Sequence, residues 1–324
     1  MKMLLPAFAL SLALLGGATA QDRIARVGYL SWQDTGEYHE STSSAFVDGL
    51  RSEGFVEGKN LQLLRRSASN DADKFKPLAR ELAAAKVDVF FAPATPMATA
   101  AWFAAKETPI VIATILDPVA LKFVDSLARP GTRVTGVTSM NDELTTKRLQ
   151  LLAEMVPGLK RVGVVIDAGM YNACKQEIEH TEKAAKTLGL TLVMVHVDRP
   201  EGLDAAFRKL VDANVQAVTG TMLSTRNNLE ADHAQAALRH RLPSMFELEA
   251  AAQEGGLMSY GPDFPAIYRR AGQYTGRILK GGRPAEMAIE QPREFQLVLN
   301  MKTARALGIA VPQAIRLRAD KVIE

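Results

Sequence analysis

The run RVGYL at 26–30 comes back as RVGVVI at 161–166, and the segments after each copy keep the same order. Each leads into a helical stretch closed by glycine, at Gly54 and Gly189, and then into a strand-like run, LQLLRRS in the first case and LVMVHVD in the second. A second helix, a short apolar strand (VDVFFAPAT, VQAVTGTML), a third helix and a strand opened by proline (TPIVIAT from 108, LPSMFEL from 242) complete both series. Val-, Ile- and Phe-rich strands alternating with Ala- and Leu-rich helices specify parallel sheets with crossover helices. The duplication predicts an α/β protein of two Rossmann-like lobes, each with a parallel central sheet.

After Leu257 the two series stop matching. DFPAIYRRAGQYTGRILKG places Phe264, Ile267, Ala271, Tyr274 and Ile278 on one helical face. The strand-like FQLVLN and a last helix, MKTARALG, closed by Gly308, come next. A helix returning to the first lobe and a strand returning to the second make the chain cross three times, near 138–142, 261–264 and 288–293. Pro262, Pro265 and Pro292 give two of these crossings turn chemistry. The expected division is 21–138 with 263–290 in lobe I, and 139–262 with 291–324 in lobe II.

The N-terminus reads as an address. Lys2 precedes the apolar MLLPAFALSLALL, and Ala18, Thr19 and Ala20 form a small-x-small site, so residues 1–20 are expected to be a secretory signal peptide cleaved after Ala20. Residue 21 is Gln, which gives no lipid-bearing Cys at the new terminus, and no later apolar run approaches the ~20 residues of a membrane helix. The expectation is a periplasmic protein without a membrane anchor, working as a monomer. The net charge of +3 comes from scattered Lys and Arg, which does not point to nucleic acid. The single cysteine, Cys174, has no internal partner for a disulfide and sits in a helical stretch, where packing is the expected role.

GLRSEGFVEGKN at 49–60 has the look of a phosphate loop, but the glycine spacing is one residue short and Asn60 stands where the magnesium-binding hydroxyl is required. Gly54 reads as the left-handed residue that closes a helix, and Glu57-Gly58 as a turn into the next strand. Other catalytic signatures are absent: no Gly-x-Ser-x-Gly elbow, His-Glu-x-x-His, Cys pair or dinucleotide fingerprint occurs. The five histidines (His39, His180, His196, His233, His240) fall mostly on charged helical stretches; the spacing of seven between His233 and His240 allows a shared face, but lone surface histidines are commoner than metal sites. No catalytic residue, cofactor or metal is assigned. A secreted hydrolase built on scattered carboxylates stays open as an alternative.

GLRSEGFVEGKN, LDPVALKFVDSLARPGTRVTGVT, GGLMSYGPDFPAIYRRAGQYTGRILKG and QPREFQLVLNMKTARALGI together resemble ABC-transporter substrate-binding proteins of the tryptophan/tyrosine-type family, over almost all of the chain beyond the leader. The resemblance implies a type I periplasmic-binding-protein fold, with three crossovers and a small ligand enclosed between the lobes. It also implies an inner-membrane permease as partner; a sensory module reporting to a membrane receptor is the other reading of the same architecture.

Ligands of open parallel sheets bind beyond the carboxyl ends of the strands. In lobe I those ends carry Ser31 and Trp32, then Thr95 and Pro96, then Asp117. Thr95-Pro96 reads as a capped helix start whose free N–H groups suit a carboxylate, or as a cap alone. Asp117 suits a ligand ammonium or the helix dipole. In lobe II the corresponding candidates are Tyr171, Asn172 and Thr221 as a polar grip or caps, and Glu247 as an ammonium partner or a helix start. Trp32, Tyr38, Phe246 and Tyr260 are the aromatic candidates for a side-chain slot. Phe46, Phe90, Phe123 and Trp102 lie in periodic apolar runs and read as core. A carboxylate site beside an acidic group favours an amino acid-like ligand, closed upon by a hinge motion.

Overall fold

The computed structural model describes residues 23–115, 117–139, 141–167, 171–197, 202–220 and 229–324. The first lobe runs β1 (Ala25–Ser31), α1 (Glu37–Ser52), β2 (Leu61–Ser67), α2 (Phe75–Ala84), β3 (Val89–Phe91), α3 (Thr95–Ala104), β4 (Ile110–Ile115) and β5 (Val134–Thr138). Its sheet has the order β2-β1-β3-β4-β5, every neighbouring pair parallel. The second lobe repeats the series as α4 (Asn141–Met155), β6 (Arg161–Asp167), α5 (Tyr171–Thr187), β7 (Thr191–Val197), α6 (Leu203–Asp212), β8 (Ala217–Gly220), α7 (Leu229–Arg239), β9 (Ser244–Phe246), α8 (Glu249–Gln253) and β10 (Met258–Pro262). Its first five strands stand in the order β7-β6-β8-β9-β10, the same pattern as the first sheet.

The chain then leaves for the first lobe as α9 (Phe264–Leu279) and returns as β11 (Phe295–Asn300), α10 (Met301–Leu307), α11 (Gln313–Arg318) and β12 (Lys321–Ile323). Strand β11 adds to the second sheet antiparallel to β10, and β12 lies parallel to β11 beyond it. The reversal departs from a purely parallel sheet and comes from the path. Strand β10 runs toward the other lobe and exits there, so a strand coming back from that lobe enters at the same end and must run the opposite way.

Helix ends account for much of the local fidelity. At the end of α1, Gly54 has φ +88°, its N–H donates to Arg51 O, and Phe55 N–H donates to Leu50 O. This two-bond closure needs a left-handed residue, and glycine adopts that conformation without strain. Asn60 finishes the turn, accepting from Val56 N–H and donating to Gly54 O. GLRSEGFVEGKN is thus a helix stop and a turn. Gly189 closes α5 in the same way, through Gly189 N–H to Lys186 O and Leu190 N–H to Ala185 O.

Each sheet is covered on both faces. On β3, Phe91 points into the cluster beneath α1 and α9, while Phe90 points into the cluster beneath α2 and α3. The predicted apolar face of α9 is buried: Phe264, Ile267, Ala271, Tyr274 and Ile278 all join the first of these clusters. Helices α1 and α9 meet closely because each offers a glycine. A Cβ on Gly49 would lie 2.0 Å from Arg269 O, and one on Gly272 would lie 2.2 Å from Phe46 O.

On an exposed helix, Gly→Ala raises stability by about 1 kcal/mol. At Gly49 the added methyl has no room, so Gly49→Ala is expected to lower stability by about 1–3 kcal/mol. Urea unfolding of the ligand-free protein measures this; an unchanged or raised midpoint would mean that the two backbones separate without cost.

Candidate functional site

The carboxyl ends of β1 and β3 enclose a small cavity of about 50 Å³, walled by Ser31, Trp32, Tyr38, His39, Met97 and Tyr268 among others. Ser31 is buried at the end of β1, and its carbonyl accepts from Ala68 N–H. Trp32 is next, its ring standing edge-on to Phe75 at 4.8 Å. The same indole also packs against Val164, Ile166 and Ile178 of the second lobe, so it reaches from one lobe to the other. Tyr38 lies in the first turn of α1, its ring at 5.6 Å from Phe264 and 6.4 Å from Tyr268. Burial and the neighbouring Tyr38 hold the Tyr268 hydroxyl well above its ordinary range, and burial lowers His39. The cavity walls are therefore uncharged near neutral pH. His39, Met97 and Tyr268 were not among the sequence candidates; Tyr268 in particular comes from the returning α9, beyond the reach of any local motif.

Two first-lobe expectations change. Helix α3 begins at Thr95 itself, with Ala94 as its N-cap and no side-chain cap bond, so the Thr95 hydroxyl does not cap. Pro96 occupies the first turn, where its missing N–H costs nothing. Asp117 is engaged locally: Oδ1 accepts from Val119 N–H at 3.0 Å and Ala120 N–H at 2.8 Å. Its carboxylate organises the turn after β4. Trp102 packs on Phe123 under the Arg133 guanidinium, consistent with a core role.

In the second lobe, Tyr171 and Asn172 open α5, but their side chains, like that of Cys174 and the whole of Thr221, lie outside the described residues. Phe246 does not line the crevice. It is 1 % exposed and packs with Ala234 and Ala251, the His233 ring 6.5 Å away. The strand alternation explains this: Met245 and Glu247 share one side of β9, and Phe246 takes the other. Tyr260 packs on Phe295 at 6.2 Å, with its carbonyl accepting from Arg148 Nη1 at 3.2 Å. Burial, then Asp320, raise its hydroxyl.

Glu247 stands at the end of β9, almost fully buried, with Arg148 Nη1 3.8 Å from Oε1. Burial raises its carboxyl and Arg148 opposes the rise. Buried polar atoms without hydrogen-bond partners recur where strands end: Asn70 Oδ1 soon after β2, Thr138 Oγ1 at the end of β5, and both Glu247 oxygens after β9. Buried polar groups normally find partners, so these atoms mark where a polar solute or water belongs. Among the described residues no group of three or more His, Cys, Asp or Glu is placed to hold a metal ion.

His233 and His240 do not share a face. His233 is buried, whereas His240 Nε2 meets Asp204 Oδ1 at 2.7 Å and its ring stacks on Phe207.

Comparison with known proteins places this geometry. Residues 36–323 match the family model described as ABC transporter substrate binding protein. A tyrosine-binding protein of Clostridioides difficile is 24% identical over 287 residues, covering 87% of this chain and 79% of the relative. Among solved structures, a conserved domain protein of Vibrio cholerae aligns with TM-score 0.84 at 26% identity, covering 93% of this chain and 100% of that one. A pneumococcal ABC domain in complex with L-Trp aligns at 0.82 and 24% identity, over 92% and 99% of the two chains. A ligand-free, open substrate-binding protein of Clostridium difficile aligns at 0.67 and 23% identity, over 93% and 99%.

Burial depresses His233 to about 4. Between pH 6.5 and that value the unfolded chain binds a proton that the native protein does not, so stability falls as pH falls. The loss is about 1.4 kcal/mol per pH unit, or roughly 2 kcal/mol between pH 6.5 and 5. His233→Gln should remove that component. Urea titrations at pH 7 and pH 5 on both proteins provide the check; equal acid sensitivity would assign the loss to other groups.

Proposed function

Because the chain belongs to the ABC transporter substrate-binding protein family, we propose that it captures an aromatic amino acid between its lobes and presents the closed form to a membrane permease. Trp32 carries the reading: it stands at the carboxyl end of β1 in one lobe and packs on Ile166 and Ile178 of the other. A flat apolar face at a crevice between two sheets suits a ring-bearing solute, which buries area on both sides. The ligands named for two relatives, tyrosine and L-Trp, agree with that chemistry.

In this reading the leader, residues 1–20, directs export and is cleaved after Ala20, and the mature protein works in the periplasm. Residues 21–138 with 263–290 form one jaw, and 139–262 with 291–324 the other. A ligand that contacts both jaws stabilises the closed form over the open one by the difference in its contacts, and that difference is what the permease reads. The protein acts as a receptor and performs no chemistry on its cargo.

A native-state ligand at 100 times its Kd stabilises by about 2.7 kcal/mol. L-tyrosine or L-tryptophan is therefore expected to raise the melting temperature of the mature protein by several degrees. Trp32→Ala should weaken binding in calorimetry by tenfold or more, about 1.4 kcal/mol. A panel of amino acids producing no melting shift in the wild-type protein would overturn the proposal.

A further inference from the structure

Among the described residues, the most buried acidic side chain at the strand ends has no hydrogen bond. Glu247 is 4% exposed, and neither carboxylate oxygen has a hydrogen-bond partner among the described residues. Two other acids facing arginine in the same protein are hydrogen-bonded through both oxygens. Glu57 takes two bonds from Arg65, at 2.7 and 2.9 Å, and Glu290 takes two from Arg270, both at 2.7 Å. Those carboxylates reach solvent and could be satisfied by water, yet they are paired bidentately. Glu247, which cannot draw on bulk water, is left 3.8 Å from Arg148. Arg148 is itself committed, through Nη1 to Tyr260 O and Nη2 to Thr145 Oγ1. The arginine thus supplies charge to the carboxylate, and at 3.8 Å no hydrogen bond joins the two.

An unsatisfied buried acid is costly, and it persists where a partner arrives from outside. One observation places the end of β9 at the seam between the lobes, a second shows the room kept for the side chain, and a third sets aside the other acidic candidate. Leu248, the next residue, packs into the first lobe's cluster with Phe264 and Tyr268, which puts the β9 terminus at the seam between the lobes. A Cβ on Gly261 would lie 2.4 Å from Glu247 O and 2.9 Å from its Cγ, so the glycine keeps room for this side chain beside β10. Asp117, the other acid considered for a ligand cation, already accepts two backbone N–H groups.

We propose that Glu247 is the acceptor for a protonated primary amine on the ligand, and that it makes the protein select amines over their deaminated counterparts. The inference rests on the solute-binding reading and specifies which solutes qualify. An ammonium carries three N–H donors and one positive charge. It satisfies both carboxylate oxygens and, with Arg148, keeps the acid ionised in a place where burial favours the neutral form. A ligand without the amine leaves the carboxylate unmet and forfeits that gain.

The test is calorimetry with L-tyrosine and with 3-(4-hydroxyphenyl)propionate, which differs only in lacking the amine, against wild-type protein and Glu247→Gln. Melting temperatures of both proteins without ligand are recorded alongside. Sites built to hydrogen-bond a polar group reject the analogue lacking it strongly, so the wild-type preference for L-tyrosine should be about 100-fold or more. In Glu247→Gln, L-tyrosine should weaken by about 100-fold while the deaminated compound binds as before. Undiminished L-tyrosine binding by the variant, or equal weakening of both compounds, would refute the assignment. Should the variant fail to fold, the wild-type comparison still decides, because equal affinity for the two compounds refutes it too. Wild-type protein stabilised only by compounds without an amine would end this inference together with the choice of an amino acid as cargo, and would leave a solute-binding role standing. No stabilisation by any amino acid, amine or carboxylate of a panel would end both.

Discussion

Helices α1 and α9 touch backbone to backbone, and the two-lobed arrangement depends on that contact. Glycine at 49 and at 272 lets the carbonyls of Arg269 and Phe46 approach where any side chain would collide. The approach buries the apolar face of α9 against the first sheet and draws the chain out of the second lobe after β10. Once α9 is placed there, the return strand must enter the second sheet from the side facing the first lobe. Its antiparallel pairing with β10 is the visible result. A local steric fact at two glycines thereby fixes the path of the last sixty or so residues, and with it the bundle of connections about which the lobes are joined.

The polar chemistry between the lobes comes from the same plan. Parallel strands end at a common level, and the side chains just beyond them are the ones with the fewest neighbours of their own lobe. Asn70, Thr138 and Glu247 each keep a buried polar atom without a partner at that level, while Trp32 spans to the opposite lobe. Of these three residues Asn70 adjoins the bridge, its N–H donating to the Trp32 carbonyl. The first lobe's contribution is largely aromatic and neutral, and the second lobe's includes the buried Arg148 and Glu247.

Much of the architecture was legible because it is written in periodicity. Duplicated strand and helix runs are long-range regularities that no single substitution hides, and glycine at 54, 189 and 308 marks helix ends by a conformational need. Individual site residues were less legible, for reasons that can be named. Thr95-Pro96 looks like a capped start, yet the helix begins one residue earlier than that pairing implies, with Ala94 as the cap. Phe246 and Glu247 are adjacent in sequence and face opposite sides of a strand, so the same stretch sends an aromatic into the core and a carboxylate toward Arg148. Tyr268 and Arg148 reach their positions through helices distant in sequence from the strands they serve. No local pattern carries that information, since the pairing exists only after the chain has crossed between lobes.

The contact between α1 and α9 also governs how the molecule comes into being. Glu53, at the end of α1, pairs with Arg277 of α9 across 224 residues of sequence. A growing chain reaches Arg277 only after every strand through β10 has been made, so the side of α1 that meets α9 stays uncovered until then. No contiguous fragment contains the whole of the first lobe without the second lobe's strands β6 to β10. A polypeptide whose closing element is made so late completes its first lobe only near the end of synthesis.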